Sequence, residues 1–193
     1  MKRRHLLAAG IGALAAPAIA RADAKYPDRT IRLIVPFPAG GATDIVGRMF
    51  ADKLTQQLGQ TVIVDNKGGA AGSIGAMEVK NAKPDGYTLL VATSSTHAIN
   101  PTAFVHPPYD PIRDFTPISS VCVNPLVFYA NPSLPPTMME LVQLMKKDPG
   151  KYSYGSAGIG SIVHLAAEYL KRSVGGMDVV HVPYKGGAPA IRT

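Results

Sequence analysis

Two glycine-rich turns carry the residues best suited to hold a small anion. The first is Pro38, Ala39, Gly40, Gly41, Ala42, Thr43 and Asp44. A β-rich run over residues 30–35 feeds into it, and the spacing of Ile45, Val46, Met49, Phe50, Leu54 and Leu58 predicts a helix leaving it. Glycine lets backbone approach a guest without a Cβ in the way. The first N–H groups of a helix lack internal partners and carry partial positive charge, which suits a carboxylate or a phosphate. Thr43 adds a hydroxyl donor. Asp44 repels an anion, so its reading is a helix-capping or water-fixing carboxylate, or a partner for an ammonium group.

The device recurs. Residues 152–154 read as a short strand, Gly155, Ser156, Ala157, Gly158, Ile159, Gly160 and Ser161 as a turn, and Ile162, Val163, Leu165, Ala166, Tyr169 and Leu170 as a helix. Ser156, Gly158, Gly160 and Ser161 are the candidates here, with Ser161 equally readable as a plain N-cap. Two such cradles predict a cleft with one on each wall. Ser94, Ser95 and Thr96 are secondary candidates, because they follow a strand at its C-terminal end, where α/β sheets bind ligands. Residues 69–73 and 184–187 rank below them.

Other chemistries fit poorly. His164 and Glu168 sit four apart on one helix face without a third ligand, so no metal and no cofactor are expected. An exported hydrolase is the main enzymatic rival, but Tyr154 stands where a nucleophile elbow around Ser156 requires glycine. Neither residues 68–75 nor Gly158-Ile159-Gly160 continue with the spacing of a dinucleotide loop.

The elements that must position the turns alternate. Gly59 predicts a helix stop. Residues 61–64 read as a strand, residues 66–72 as a turn, and Ser73 as the cap of a helix over 74–82. Residues 83–86 form a turn before a buried strand over 87–92. This order predicts a parallel sheet covered on both faces. Proline-rich chain over 100–117 leads to extended segments at 118–123 and 126–130 that cross into a second lobe. Cys122, between Val121 and Val123, reads as a small buried hydrophobe. Thr137 and Glu140 form a capping box, and a strand over 179–184 precedes a last turn and helix start.

Among 193 residues, 19 glycines and 17 prolines fall between periodic segments, so they punctuate an ordered fold. Residues 1–22 read as a secretory signal peptide: Lys2, Arg3 and Arg4, an apolar stretch too short to span a bilayer, and Ala20-Arg21-Ala22 as a cleavage signal. Arg3 and Arg4 leave Sec and twin-arginine export both open. Removing the leader takes four of the 20 basic residues, so 16 face 13 acidic ones and the net charge is +3. No dense basic run remains, which excludes a nucleic-acid partner. The chain stops in mid-element and reads as a fragment.

The series PFPAGGATD, NKGGAAGSIGA, KPDGYTLL, HAINP, DFTPISSV, YGSAGIGSIVHLA and HVPYKGGAPA resembles the Bug family, the extracytoplasmic receptors of tripartite tricarboxylate transporters. The resemblance implies a type II periplasmic-binding-protein fold of two α/β lobes with mainly parallel sheets. It divides the chain into lobe 1 over 23–122 and lobe 2 over 123–193, with lobe 1 completed by a later return of the chain. It implies a monomeric periplasmic receptor that delivers a small carboxylate to membrane components, or feeds a sensor kinase on the same fold. The matching positions span 38–44 and 156–164, which brings Pro38 and His164 into the ligand-binding set.

Overall fold

The computed structural model describes residues 25–191; the leader reading lies outside them. The first sheet is built from β1 (Ile31–Val35), β2 (Val62–Asn66) and β3 (Thr88–Leu90), all parallel, in the order β2-β1-β3. Ile31 to Val35 of β1 pair in register with Val62 to Asn66. Arg32 to Ile34 pair with Thr88 to Leu90 on the other side. A central parallel strand is covered on both faces, and four of the five residues of β1 are buried.

Two helices provide that cover. α1 (Ala42–Leu58) ends at Gly59, whose φ of 68° lets its N–H cap Thr55 O. Ile31, Leu33, Ala51 and Val62 form the core on this side, packed by Phe50, Leu54 and Leu89. α2 (Ser73–Lys80) lies on the opposite face. Glycine sets the approach distance on both faces. A Cβ at Gly47 of α1 would sit 2.8 Å from Val35 Cγ2. One at Gly75 of α2 would sit 2.9 Å from Pro36 Cα and 3.0 Å from Lys67 O. Backbone cannot yield as a side chain can. Gly75→Ala is therefore expected to lower stability by about 1–3 kcal/mol despite alanine's better helix propensity. A shift in the urea midpoint measures it, and an unchanged or higher midpoint would refute the tight packing.

A π-helical turn (Ser95–Ile99) and α3 (Asn100–Ala103) follow β3. The second sheet pairs β4 (Ser153–Ser156) in parallel with β5 (Val180–Pro183), from Ser153↔Val180 to Ser156↔Pro183. α4 (Met138–Lys147) precedes β4, α5 (Ile162–Ser173) joins the two strands, and α6 (Gly187–Ile191) comes last. The capping box forms: Thr137 Oγ1 accepts from Glu140 N at 3.3 Å and donates to Glu140 Oε2 at 2.7 Å. This is a mixed α/β protein with parallel sheets, as expected.

Four local readings are corrected. Residues 118–130 form no strand, because no sheet edge among the described residues supplies ladder partners. Their apolar side chains stand in solvent, with Val123 92% exposed. Cys122, on the same segment, is exposed rather than buried. Ser73 does not cap α2: Gly72 holds the N-cap position, and Ser73 Oγ accepts from buried Asn100 Nδ2 at 2.9 Å. The strand over 87–92 shrinks to residues 88–90 and is half-buried, since it lies at the sheet's edge.

Candidate functional site

The C-terminal ends of both parallel sheets release glycine-rich turns toward one another. Pro38 lies at the joint. A Cβ at Gly68 would come within 2.8 Å of Pro38 Cδ, and one at Gly186 within 2.6 Å. Gly40 and Gly41 lie beside Ala188 of α6. A second joint runs through Ser95, whose buried Oγ accepts from Ile162 N, at the start of α5, at 3.0 Å. Between the joints opens a cleft of about 270 Å³. Phe37 and residues 69–72 line it from the first sheet, and residues 157–159 and 183–185 from the second.

Asp44 governs the first turn from inside. Its carboxylate is buried; it accepts from Gly40 N at 2.8 Å, Arg48 Nε at 3.0 Å and Asn66 Nδ2 at 2.9 Å. Burial alone would raise its pKa, but the bonds from Arg48, Gly40 and Asn66 outweigh that and hold it below the usual carboxylate value. Gly40 N–H thus serves the protein itself. The N–H groups of Ala42, Thr43 and Asp44 have no acceptor among the described residues. Ala39 and Gly40 are exposed, while Pro38, Gly41 and Thr43 are half-buried.

The second turn is wired to its own side chains. Gly158 N donates to Ser156 Oγ at 3.1 Å, Ser161 N to Gly158 O at 3.1 Å, and Gly160 N to His164 Nδ1 at 3.2 Å. Ser161 caps α5 by accepting from His164 N. Ser156 and Ser161 are buried, so neither hydroxyl is presented to solvent. Behind the turn, the rings of His164 and His181 stack at 4.2 Å, and His181 stacks on Tyr154 at 4.8 Å. His181 Nε2 lies 2.7 Å from Ser156 Oγ. Tyr154 donates to Glu168 Oε1 at 2.6 Å. That bond, then Lys171, holds the Glu168 carboxyl low, while burial and Glu168 push the Tyr154 hydroxyl up.

Burial first, and then the neighbouring His164, lower the pKa of His181. A histidine whose pKa is lowered in the fold contributes stability that is complete above its unfolded pKa and is lost as pH falls from there through the lower folded pKa. His97, also lowered by burial, acts with the same sign. The urea midpoint is expected to fall between pH 7.5 and pH 5.5, and His181→Asn should flatten that slope. A variant with an undiminished slope would remove His181 from this account.

Of the remaining candidates, Ser95 and Thr96 have internal partners. Thr96 is fully buried, its Oγ1 donating to Thr93 O at 3.0 Å. Ser94 is exposed at the start of the π-helical turn. Of the candidates from the two principal turns, Gly158 lines the cleft; Gly40, Gly41 and Thr43 do not.

Residues 69–72, ranked low from sequence, form the facing wall. Gly69, Ala70, Ala71 and Gly72 take φ of 132°, 46°, 52° and 91° in succession. Two alanines in that region are strained, and such strain concentrates at ligand clamps. Asn100 Nδ2 holds the turn by donating to Ala71 O at 3.1 Å. The N–H groups of Ala70 and Ala71 have no acceptor among the described residues, nor do those of Ala157 and Ile159 opposite. The pair of Gly69 and Gly72 around two alanines was the available sequence signal. No cluster with metal-ligand character occurs among the described residues.

Comparison with known proteins agrees with this architecture. The profile of the family described as tripartite tricarboxylate transporter family receptor matches residues 46–193. A UPF0065 protein of Bordetella pertussis is 39% identical over 184 residues, covering 95% of this chain and 56% of the relative. Protein BugT of the same organism is 38% identical over 86% of this chain and 51% of its own length. The chain thus spans little more than half the length of these relatives. A Rhodopseudomonas palustris protein solved with adipate superimposes with a TM-score of 0.83 at 36% identity, covering 86% of this chain and 56% of that one. MatC of the same organism, solved with bound malate, gives 0.75 at 30% identity, covering 86% and 57%. The periplasmic binding protein BugD gives 0.76 at 36% identity over 86% and 56%. With a family profile matched over most of its length and relatives 36–39% identical along it, the chain belongs to the tripartite tricarboxylate transporter receptor family.

Proposed function

We propose that this chain is part of a periplasmic solute receptor that captures a small carboxylate between two lobes and passes it to the membrane components of a tripartite transporter. One observation carries the reading. Ala70 and Ala71 on one wall, and Ala157 and Ile159 on the other, line the same cleft with N–H groups that have no acceptor among the described residues. Donors that the fold leaves open on two facing walls can both be taken by one guest, and a carboxylate oxygen accepts from them.

The magnitudes suffice. Hydrogen bonds to a charged acceptor contribute about 1.5–3 kcal/mol each. At the upper end of that range the four give about 12 kcal/mol, and an association cost of about 4 kcal/mol leaves at most roughly −8 kcal/mol, or about micromolar affinity. Waters bridge such contacts at little loss, so the Pro38 to Asp44 and Ser156 to His164 turns contribute through position and water as well as direct contact. The set comprises Pro38, Ala39, Gly40, Gly41, Thr43 and Asp44 on one side and Ser156, Gly158, Gly160, Ser161 and His164 on the other. Ser94, Ser95 and Thr96 join the walls.

The adipate and malate held by the two related structures make dicarboxylates the first probes. The leader at 1–22 carries the protein across the inner membrane. Lobes at 23–122 and 123–193 close as a monomer, and no bond of the guest is broken. A thermal-shift screen of di- and tricarboxylates, amino acids and aromatic acids tests the reading. A rise in Tm with an unconsumed ligand is the expected result. Flat responses across the carboxylates, or turnover of a hit by catalytic amounts of protein, would refute it.

A further inference from the structure

The second turn is coupled to a stack of three rings. Tyr154 of β4, His181 of β5 and His164 of α5 lie face to face, with ring centroids 4.8 and 4.2 Å apart and planes within 18° and 19° of parallel. Each end of the turn reports to this stack. Gly158 N donates to Ser156 Oγ, which lies 2.7 Å from His181 Nε2, and Gly160 N donates to His164 Nδ1 at 3.2 Å. The second bond requires His164 Nδ1 to be unprotonated, because a protonated ring nitrogen has no lone pair to offer.

We propose that the stack makes anion capture proton-linked: a proton on His164 Nδ1 breaks its bond to Gly160 N–H, freeing that amide and placing an imidazolium behind the cleft wall. The inference rests on the carboxylate reading of the cleft. Two imidazoliums stacked at 4.2 Å repel, so a proton on one ring opposes a proton on the other. The other charged or titratable groups packed on the pair are Tyr154 from β4 and Glu168 and Lys171 from α5. Glu168 is engaged by the Tyr154 hydroxyl and by Lys171 Nζ at 2.9 Å, so its carboxylate is already matched before the histidines charge. A bound anion favours the charged pair, and by linkage the charged pair favours the anion. Affinity therefore rises as pH falls, until the ligand's own carboxyl groups protonate.

Two measurements test this on the full chain. The first needs no ligand: NMR titration of the His164 and His181 rings and of the Gly160 amide from pH 8 to pH 5. The Gly160 amide is expected to shift with the same midpoint as the His164 ring. His164→Asn, which keeps an acceptor without titrating, should hold that amide still, and His181→Asn should move the His164 midpoint upward. A Gly160 amide indifferent to pH, or histidines that titrate independently, overturns the proposal whatever the cleft binds. The second is calorimetry with malate and adipate at pH 8 and pH 6, in buffers of different ionisation enthalpy. Affinity should rise about three- to tenfold at the lower pH with net proton uptake, and His164→Asn should abolish both. Binding with no pH dependence overturns the linkage. If neither probe binds at any pH, the carboxylate reading fails, and the NMR titration still decides the coupling of proton to turn.

Discussion

Replacing Ala70 with aspartate is expected to weaken carboxylate binding by at least about 100-fold while leaving the fold intact. Ala70 is exposed at the cleft wall with φ of 46°, a conformation that aspartate tolerates better than most residues. The substitution therefore adds little strain and fills no core space. It places a negative charge roughly 5 Å from the guest's carboxylate. At an effective dielectric of about 20 the repulsion is about 3 kcal/mol, a little over two decades in affinity. Ala70→Asn has nearly the same shape without the charge, and should cost less than tenfold. Calorimetry on both variants separates charge from volume. Equal losses in both, or no loss in either, would place the guest somewhere other than against residues 69–72.

The second large effect is on stability. Asp44→Ala is expected to lower the unfolding free energy by about 2–4 kcal/mol. The carboxylate closes a ring: it accepts from Gly40 N and Arg48 Nε, and from Asn66 Nδ2, which also donates to Phe37 O at 3.0 Å. Arg48 Nη2 then donates to Asn66 Oδ1 at 3.0 Å. The ring ties the turn after β1 to the end of β2. Alanine removes the buried acceptor shared by Gly40 N–H, Asn66 Nδ2 and the Arg48 guanidinium, and with it the link between the turn and β2. Arg48 is itself half in water, which keeps the loss below that of breaking a fully buried ion pair. Asp44→Asn, which retains one acceptor oxygen, should fall between. Urea unfolding checks it, and a change under about 0.5 kcal/mol would mean that the ring does not hold the turn. The Asp44 pKa is lowered in the fold, so its contribution is present above the ordinary carboxylate range and is lost as pH falls from that range through the lower folded value.

These two residues mark how far the sequence could be read. Asp44 is recognisable as awkward for an anion, and its capping role was one of the readings its position allowed. Its partner Arg48, four residues on along the same helix, is reachable from spacing alone; Asn66 is not, because it reaches Asp44 only once β2 lies parallel to β1. Ala70 carried a weaker signal. Alanine has no chemistry of its own, and its left-handed conformation comes from the turn closing against Asn100, 29 residues away. The Ser95 to Ile162 bond likewise spans 67 residues and joins elements with no common sequence pattern.

What the sequence determined by itself is local. Period-3.6 and β-rich runs placed the helices and strands within a few residues; Gly59 stopped α1, and Thr137 with Glu140 started α4. Those features follow from backbone preference and from side chains within one turn of each other, which any chain carries with it. Several motifs in register also gave the family resemblance. Only the tertiary structure decided which N–H groups remain open. The second turn looked like a row of free amides; Ser156 and His164 close two of them from within four residues, and Ser95, 67 residues away, takes the first amide of α5. It likewise decided the exposure of residues 118–130, since a β-prone run is buried only where another strand or sheet meets it. A donor is free, or an apolar strand is covered, according to what other parts of the chain bring near it. That proximity is a property of the fold, and no window of sequence contains it.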